Sequence, residues 1–181
     1  MSWFNFFSKK SHTCKCQQDI GVSIQYLDNE KFTPEYKHSF DAGADVRAFR
    51  VIESNKDYIP DDNIAFRDNG YDLQPGETKL FGCGFMCQLP RGYAFFVCPR
   101  SGLAAKHGIT VLNAPGICDA GYRGEYCIIL HNASKEPYHI AYGDRIAQIV
   151  LVRTRQATFI ERGFVDTDGR GEGGFGSTGN K

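Results

Sequence analysis

The feature that most limits how this chain can fold is the shortness and regular spacing of its apolar runs. Val22 to Leu27 sets Val22, Ile24 and Tyr26 against Ser23 and Gln25, the two-residue period of a strand with one buried face. Further runs follow at Lys79 to Met86, Tyr93 to Cys98, Ile109 to Leu112, Tyr126 to His131 and Arg145 to Val152, separated by Gly, Pro, Asn or Asp. Turn chemistry is explicit in Gln74-Pro75-Gly76-Glu77, Leu89-Pro90-Arg91-Gly92 and Tyr142-Gly143-Asp144, where Pro presets φ and Gly supplies positive φ. Helical character is confined to Gly102 to His107, one or two turns with adjacent alanines. This rhythm predicts an all-β fold with one short helix.

Two segments break the rhythm. Arg50 to Tyr71 is rich in Asp and Asn and reads as a long inserted loop or hairpin, a kind of segment that tends to be functional or disordered. After Glu161 hydrophobicity falls and glycine takes over from Arg170 to Gly179. The expected organisation is an N-terminal arm (1–20), a β domain (21–160) carrying the insertion 50–71, and a glycine-rich C-terminal segment (161–181). A chain of 181 residues is long enough for one continuous core.

Lys plus Arg total 21 and Asp plus Glu total 21, so no net positive field gathers polymeric nucleic acid, which is not an expected ligand. A few converging arginines can still bind a small polyphosphate. Seven cysteines, an odd number, are scattered at Cys14, Cys16, Cys83, Cys87, Cys98, Cys118 and Cys127, several inside strand-like runs. Free thiols are expected rather than a disulfide framework, and neither His12, Cys14 and Cys16 nor Cys83 and Cys87 has the paired spacing of structural zinc. The aromatic start, with Trp3, Phe4, Phe6 and Phe7, is too short and too interrupted by Asn5 and Ser8 for a signal peptide. It reads as an arm packing on its own protein or a neighbouring subunit. No stretch has the length of a membrane span, so the expected location is the cytoplasm, with no membrane association.

Three segments carry polar groups beyond what turns need. In the tail, Arg170, Phe175, Ser177 and Thr178 are set among glycines that let backbone N–H groups approach phosphate oxygens. Taken alone, this run is either a phosphate-binding segment or a solvated linker. Pro99-Arg100-Ser101-Gly102 joins the end of a strand to the start of the short helix, either as an anion site or as a helix capped by Ser101 with Arg100 in solvent. Gly116 to Glu125 places Asp119 and Tyr122 in a turn-rich hairpin beside Asn113, whose amide can donate and accept and so can read one edge of a base.

Together these segments resemble the trimeric dUTPase (deoxyuridine 5'-triphosphate nucleotidohydrolase) family, whose five motifs occur here in order. They are Ala42-Gly43-Ala44-Asp45-Val46-Arg47-Ala48, then Pro99-Arg100-Ser101-Gly102-Leu103-Ala104, then Asn113 through Glu125, then Gly143-Asp144-Arg145-Ile146-Ala147-Gln148, and finally Arg170 to Gly179. The resemblance implies a jelly-roll-like β-barrel with a short helix after the second motif, a mobile C-terminal tail, and a homotrimer whose sites are shared between subunits. It implies Mg²⁺-dependent hydrolysis of dUTP to dUMP and pyrophosphate, which keeps uracil out of DNA and supplies dUMP for dTMP synthesis.

By the same resemblance Asp119 is the general base for the water that attacks the α-phosphorus. Asn113 and main-chain groups of its hairpin, Gly116 among them, pair with uracil, and Tyr122 lies against the deoxyribose, leaving no room for a 2′-hydroxyl. Arg100, Ser101, Gly102 and Gln148 hold the α- and β-phosphates. Arg170, Gly176, Ser177 and Thr178 belong to the lid over the γ end, with Phe175 covering the uracil. Asp45 acts on Mg²⁺ only through water. Cys118 stands where an aliphatic residue is common in the family and Gly121 where many members have Asp; neither removes a group the chemistry needs. The related dCTP deaminases need a glutamate where this chain has Ile129, which cannot move a proton. A regulatory role, with 50–71 or the aromatic start presented to a protein partner, is compatible with catalysis.

Overall fold

The computed structural model describes residues 19–52 and 64–163. The aromatic start, the middle of the expected insertion and the glycine-rich tail, with Arg170, Phe175, Gly176, Ser177 and Thr178, lie outside the described residues. In chain order the elements are β1 (Ser23–Tyr26), β2 (Gly43–Arg47), β3 (Arg50–Ile52), α1 (Ile64–Asn69), β4 (Tyr71–Leu73), β5 (Thr78–Gly82), β6 (Phe85–Gln88) and β7 (Tyr93–Cys98). They continue as α2 (Ser101–His107), β8 (Ile109–Val111), β9 (Gly116–Asp119), β10 (Cys127–Asn132), β11 (Tyr138–Ile140) and β12 (Arg145–Arg153).

Two four-stranded antiparallel sheets, ordered β2-β12-β7-β9 and β3-β5-β10-β8, form the body, with the pairs β1-β6 and β11-β4 beside them. Alternation sorts the side chains. On β2, β7 and β12, Val46, Val97 and Ile149 are buried, and on β5, β8 and β10 so are Phe81, Val111, Ile128 and Leu130. These faces share one core, and each large apolar side chain placed there stabilises the fold by about 1.5–3 kcal/mol. The architecture is the all-β, jelly-roll-like one expected, with helix α2 in its expected place.

The expected insertion 50–71 is corrected at both ends. Arg50–Ile52 is a strand whose three residues are all buried, paired with β5 through Arg50–Gly82, Val51–Phe81 and Ile52–Leu80. Tyr71 opens β4, which pairs with β11. Between them α1 is a second short helix, pinned by Phe66, whose ring lies 6.0 Å from Phe81 and 6.3 Å from Tyr142. Arg67 lies 5.2 Å over the rings of both Phe49 and Tyr142 and pairs with Asp28. Burial of Phe66 and the cation–π contacts hold six residues that would not form a helix alone. The run Lys79 to Met86 also divides: Gly84, at φ +74°, turns the chain between β5 and β6.

The five described cysteines are free thiols. Among the described residues no helix is long and apolar enough to cross a membrane. Tyr126 is 1% exposed, stacked on Phe85 at 5.2 Å between centroids, and its hydroxyl has no hydrogen-bond partner among the described residues. A buried hydroxyl left unpaired opposes folding. Tyr126→Phe is therefore expected to raise stability by about 1 kcal/mol, read from the midpoint of urea unfolding; a lower midpoint would contradict it.

Candidate active site

The phosphate-side residues are assembled by β2, β12 and the β7–α2 junction. Arg100 is the residue that caps α2, in an extended conformation (φ −85°, ψ 125°) and without a side-chain cap. The alternative of a Ser101 cap with a solvated Arg100 is thereby set aside: Arg100 Nε donates to Asp45 Oδ1 at 2.9 Å, and another guanidinium nitrogen donates to the Arg145 carbonyl at 3.1 Å. Arg145 closes the set, donating to Asp45 Oδ2 at 3.0 Å. One carboxylate thus sits between two guanidiniums, leaving the group net cationic and its arginines oriented, which suits a polyphosphate. Gln148 stands opposite Asp45 in the β12–β2 register and donates to the Pro99 carbonyl at 3.0 Å. Asp45, Gln148, Lys37 and Cys98 line a recess of about 450 Å³, and Ser101 and Gly102 are exposed at the start of α2.

A second recess, of about 180 Å³, is lined by Asn113, Gly116, Tyr122, Val97, Ile117, Cys118 and Cys127. Gly116 keeps it open, because a Cβ there would lie 3.1 Å from Asn113 Nδ2 and 3.3 Å from Val97 Cβ and would press both outward by a few tenths of an ångström. The Tyr122 hydroxyl donates to the Glu125 carbonyl at 2.8 Å, and burial pushes this phenol above its ordinary range, keeping it a donor. Burial also pushes the Cys118 thiol up to about 11, with the Asp119 charge adding to the effect.

Asp119 ends β9 with its side chain exposed, and its main-chain carbonyl accepts the Tyr122 N–H at 3.0 Å, closing the turn. Asp119 lines a third recess, of about 610 Å³, with Arg91, Tyr93, Thr154 and Gln156. Within one chain the pieces do not converge. Asp119 is level with Ala94 on β7, whereas Gln148 is level with Cys98, four residues along the strand and two strands across. That is about 13 Å along the sheet and about 10 Å across it.

On the outer face of this sheet Ile117, Phe96 and Val150 stand in register across β9, β7 and β12, and Ile117 is 63% exposed. Past β12, Phe159 and Ile160 are also exposed.

The structure therefore brings together Asp45, Arg100 and Gln148 in one group and Asn113, Gly116 and Tyr122 in another, with Asp119 on the same strand as Gly116 but facing elsewhere. Sequence reasoning gave no role to Arg145, although it stands in the fourth motif, nor to Gly43, where a Cβ would lie 2.1 Å from Gln148 Oε1. Val97 and Cys127 were also missed as pocket walls; standing two positions from a motif is the signal that pointed to each.

A hairpin pocket walled by Asn113, Gly116 and Tyr122 and, apart from it, two guanidiniums oriented on Asp45 are groups of the kind a nucleotide-handling β protein carries. The dUTPase family model matches residues 68–179. The deoxyuridine 5'-triphosphate nucleotidohydrolase of Thermobifida fusca is 44% identical over 162 residues, covering 88% of this chain and 79% of that protein. That of Cutibacterium acnes is 49% identical over 147 residues, covering 81% and 84%. Among solved structures, a Staphylococcus bacteriophage 80alpha dUTPase with dUpNHpp superposes with a TM-score of 0.69 at 23% identity, covering 88% of this chain and 98% of that one. A phage phi11 dUTPase superposes with a TM-score of 0.64 at 20% identity, covering 81% and 99%; these two likenesses concern the fold. The chain belongs to the dUTPase family, and its activity is the hydrolysis of dUTP.

Proposed function

We propose that dUTP is cleaved by attack of water on its α-phosphorus at sites built from more than one copy of the chain, in a homotrimer, with Mg²⁺ as cofactor. The observation that carries the shared site is the separation just described: the group around Arg100 and Gln148 lies too far from Asp119, in one chain, for both to act on adjacent phosphates. The row of exposed Ile117 and half-buried Phe96 and Val150 gives a second copy an apolar face to cover.

In this reading Asn113 and the backbone at Gly116 take the uracil edge and Tyr122 faces the deoxyribose. Arg100, Ser101, Gly102 and Gln148 orient the α- and β-phosphates. Asp119 accepts the proton of the attacking water; the water oxygen bonds to the α-phosphorus as the bond to the bridging oxygen breaks, giving dUMP and pyrophosphate. Its exposure at the strand end leaves the carboxylate free to meet that water. In the tail, Arg170, Gly176, Ser177 and Thr178 reach the γ end and Phe175 covers the base.

The residues present fit a metal carried by the substrate. Both Asp45 oxygens are already bonded to Arg100 and Arg145, and the described residues include no cluster of three or more acidic, His or Cys side chains able to cage an ion. Bound through phosphate oxygens and water, Mg²⁺ would offset the phosphates' charge, and Asp45 would reach it through water. The test is hydrolysis of dUTP in heavy-oxygen water with and without EDTA. Label is expected in dUMP, and turnover is expected to stop with EDTA; label in pyrophosphate would overturn the site of attack.

A further inference from the structure

The buried pair Arg50–Glu125 has no part in the chemistry above. Arg50 is 8% exposed and Glu125 3%. Arg50 Nε donates to Glu125 Oε2 at 3.1 Å and an outer guanidinium nitrogen donates to the same oxygen, while Oε1 accepts the Gly84 N–H at 2.8 Å. Withdrawing two charges from water is costly, and an apolar pair of similar volume often serves a core as well. Packing alone therefore leaves the pair unexplained.

What the pair fixes is the backbone that carries Tyr122. Glu125 is tied through its carboxylate to β3 and to the β5–β6 turn, and its own carbonyl accepts the Tyr122 hydroxyl at 2.8 Å. Cys127 Sγ donates to that carbonyl at 3.4 Å. On the far side the Tyr126 N–H donates to Phe85 and its carbonyl accepts from Cys83, both at 2.9 Å. Gly124 lies under the tyrosine, where a Cβ would come within 2.4 Å of the hydroxyl. A continuous line of contacts thus runs from the Arg50 guanidinium through Glu125 to Tyr122 at the pocket wall. The line ties the place of the ring to that of Glu125.

We propose that Arg50 and Glu125 are positioning residues for Tyr122 and set how strongly the site prefers deoxyribo- over ribonucleoside triphosphates, which rests on the reading of Tyr122 as the sugar-facing residue. The test compares kcat/KM for dUTP and UTP in four proteins: wild type, Arg50→Met/Glu125→Gln, Tyr122→Phe, and the three changes combined. Gln keeps an acceptor for the Gly84 N–H and Met fills the space of the arginine stem, so no lone charge is buried. The dUTP to UTP ratio is expected to fall about tenfold in the double variant and in Tyr122→Phe, and no further when they are combined, as for residues acting through one contact line. Arg50→Lys, which keeps the charge and loses the fork, is expected to recover most of the ratio. An unchanged ratio in a folded double variant, or losses that multiply in the combined protein, would overturn the proposal. Amide exchange at Tyr122, expected to quicken about tenfold in the double variant, separates the two readings. Unchanged exchange overturns the positioning, whereas a wild type indifferent to the sugar, with quickened exchange in the variant, overturns only the role given to Tyr122.

Discussion

Asp119→Asn is expected to bind dUTP within a few-fold of wild type and to lose turnover by about a thousandfold, the middle of the range attributed to a positioned general base. The exchange is nearly isosteric, and the parts of Asp119 that support the fold survive it: its carbonyl still closes the turn with the Tyr122 N–H, and its backbone still pairs with Ala94. What is lost is an oxygen that accepts a proton. Calorimetric titration with a non-hydrolysable analogue and measurement of pyrophosphate release separate the two effects. Turnover within tenfold of wild type would remove Asp119 from the role.

Phe96→Arg is expected to leave the chain folded but monomeric, with dUTP hydrolysis reduced at least about a hundredfold. Phe96 points to the outer face of the β2-β12-β7-β9 sheet, between Ile117 and Val150, while Phe95 and Val97 on either side are buried. A guanidinium is tolerated there in solvent, but three copies meeting across that face would bury unpaired charges, each costing several kcal/mol. Mass by light scattering, circular dichroism and turnover distinguish loss of assembly from loss of fold. A monomer with full activity would show that one chain suffices, against the roughly 16 Å between Gln148 and Asp119 that the sheet geometry implies.

Much of the architecture is legible from pattern alone, and the exceptions share a cause. Tyr93–Cys98 and Arg145–Arg153 announce themselves because their apolar residues recur with the period of a sheet. Arg50–Ile52 does not, because it opens with a charge, and a charged residue beside an Asp- and Asn-rich stretch reads as surface. Only its partner Glu125, 75 residues away, makes a buried arginine tolerable, and no local window contains both. Gly116–Asp119 was visible only as part of a hairpin, since Gly, Cys and Asp dilute the strand signal. The site divides the same way: Asp45, Arg100 and Gln148 were found as members of motifs, but the bridge from Asp45 to Arg100 and Arg145 spans 55 and 100 residues and exists only once the strands are paired.

The Cys118 sulfur, in the wall of the recess beside Asn113 and Tyr122, has a practical meaning. Cys118 adjoins Asp119, yet with its thiol pushed up to about 11 only on the order of one molecule in ten thousand carries the thiolate at neutral pH, and the thiolate is the reactive form. The same burial and the same neighbouring charge also keep it chemically quiet, so alkylating reagents and mild oxidants meet little reactive sulfur at this position of β9.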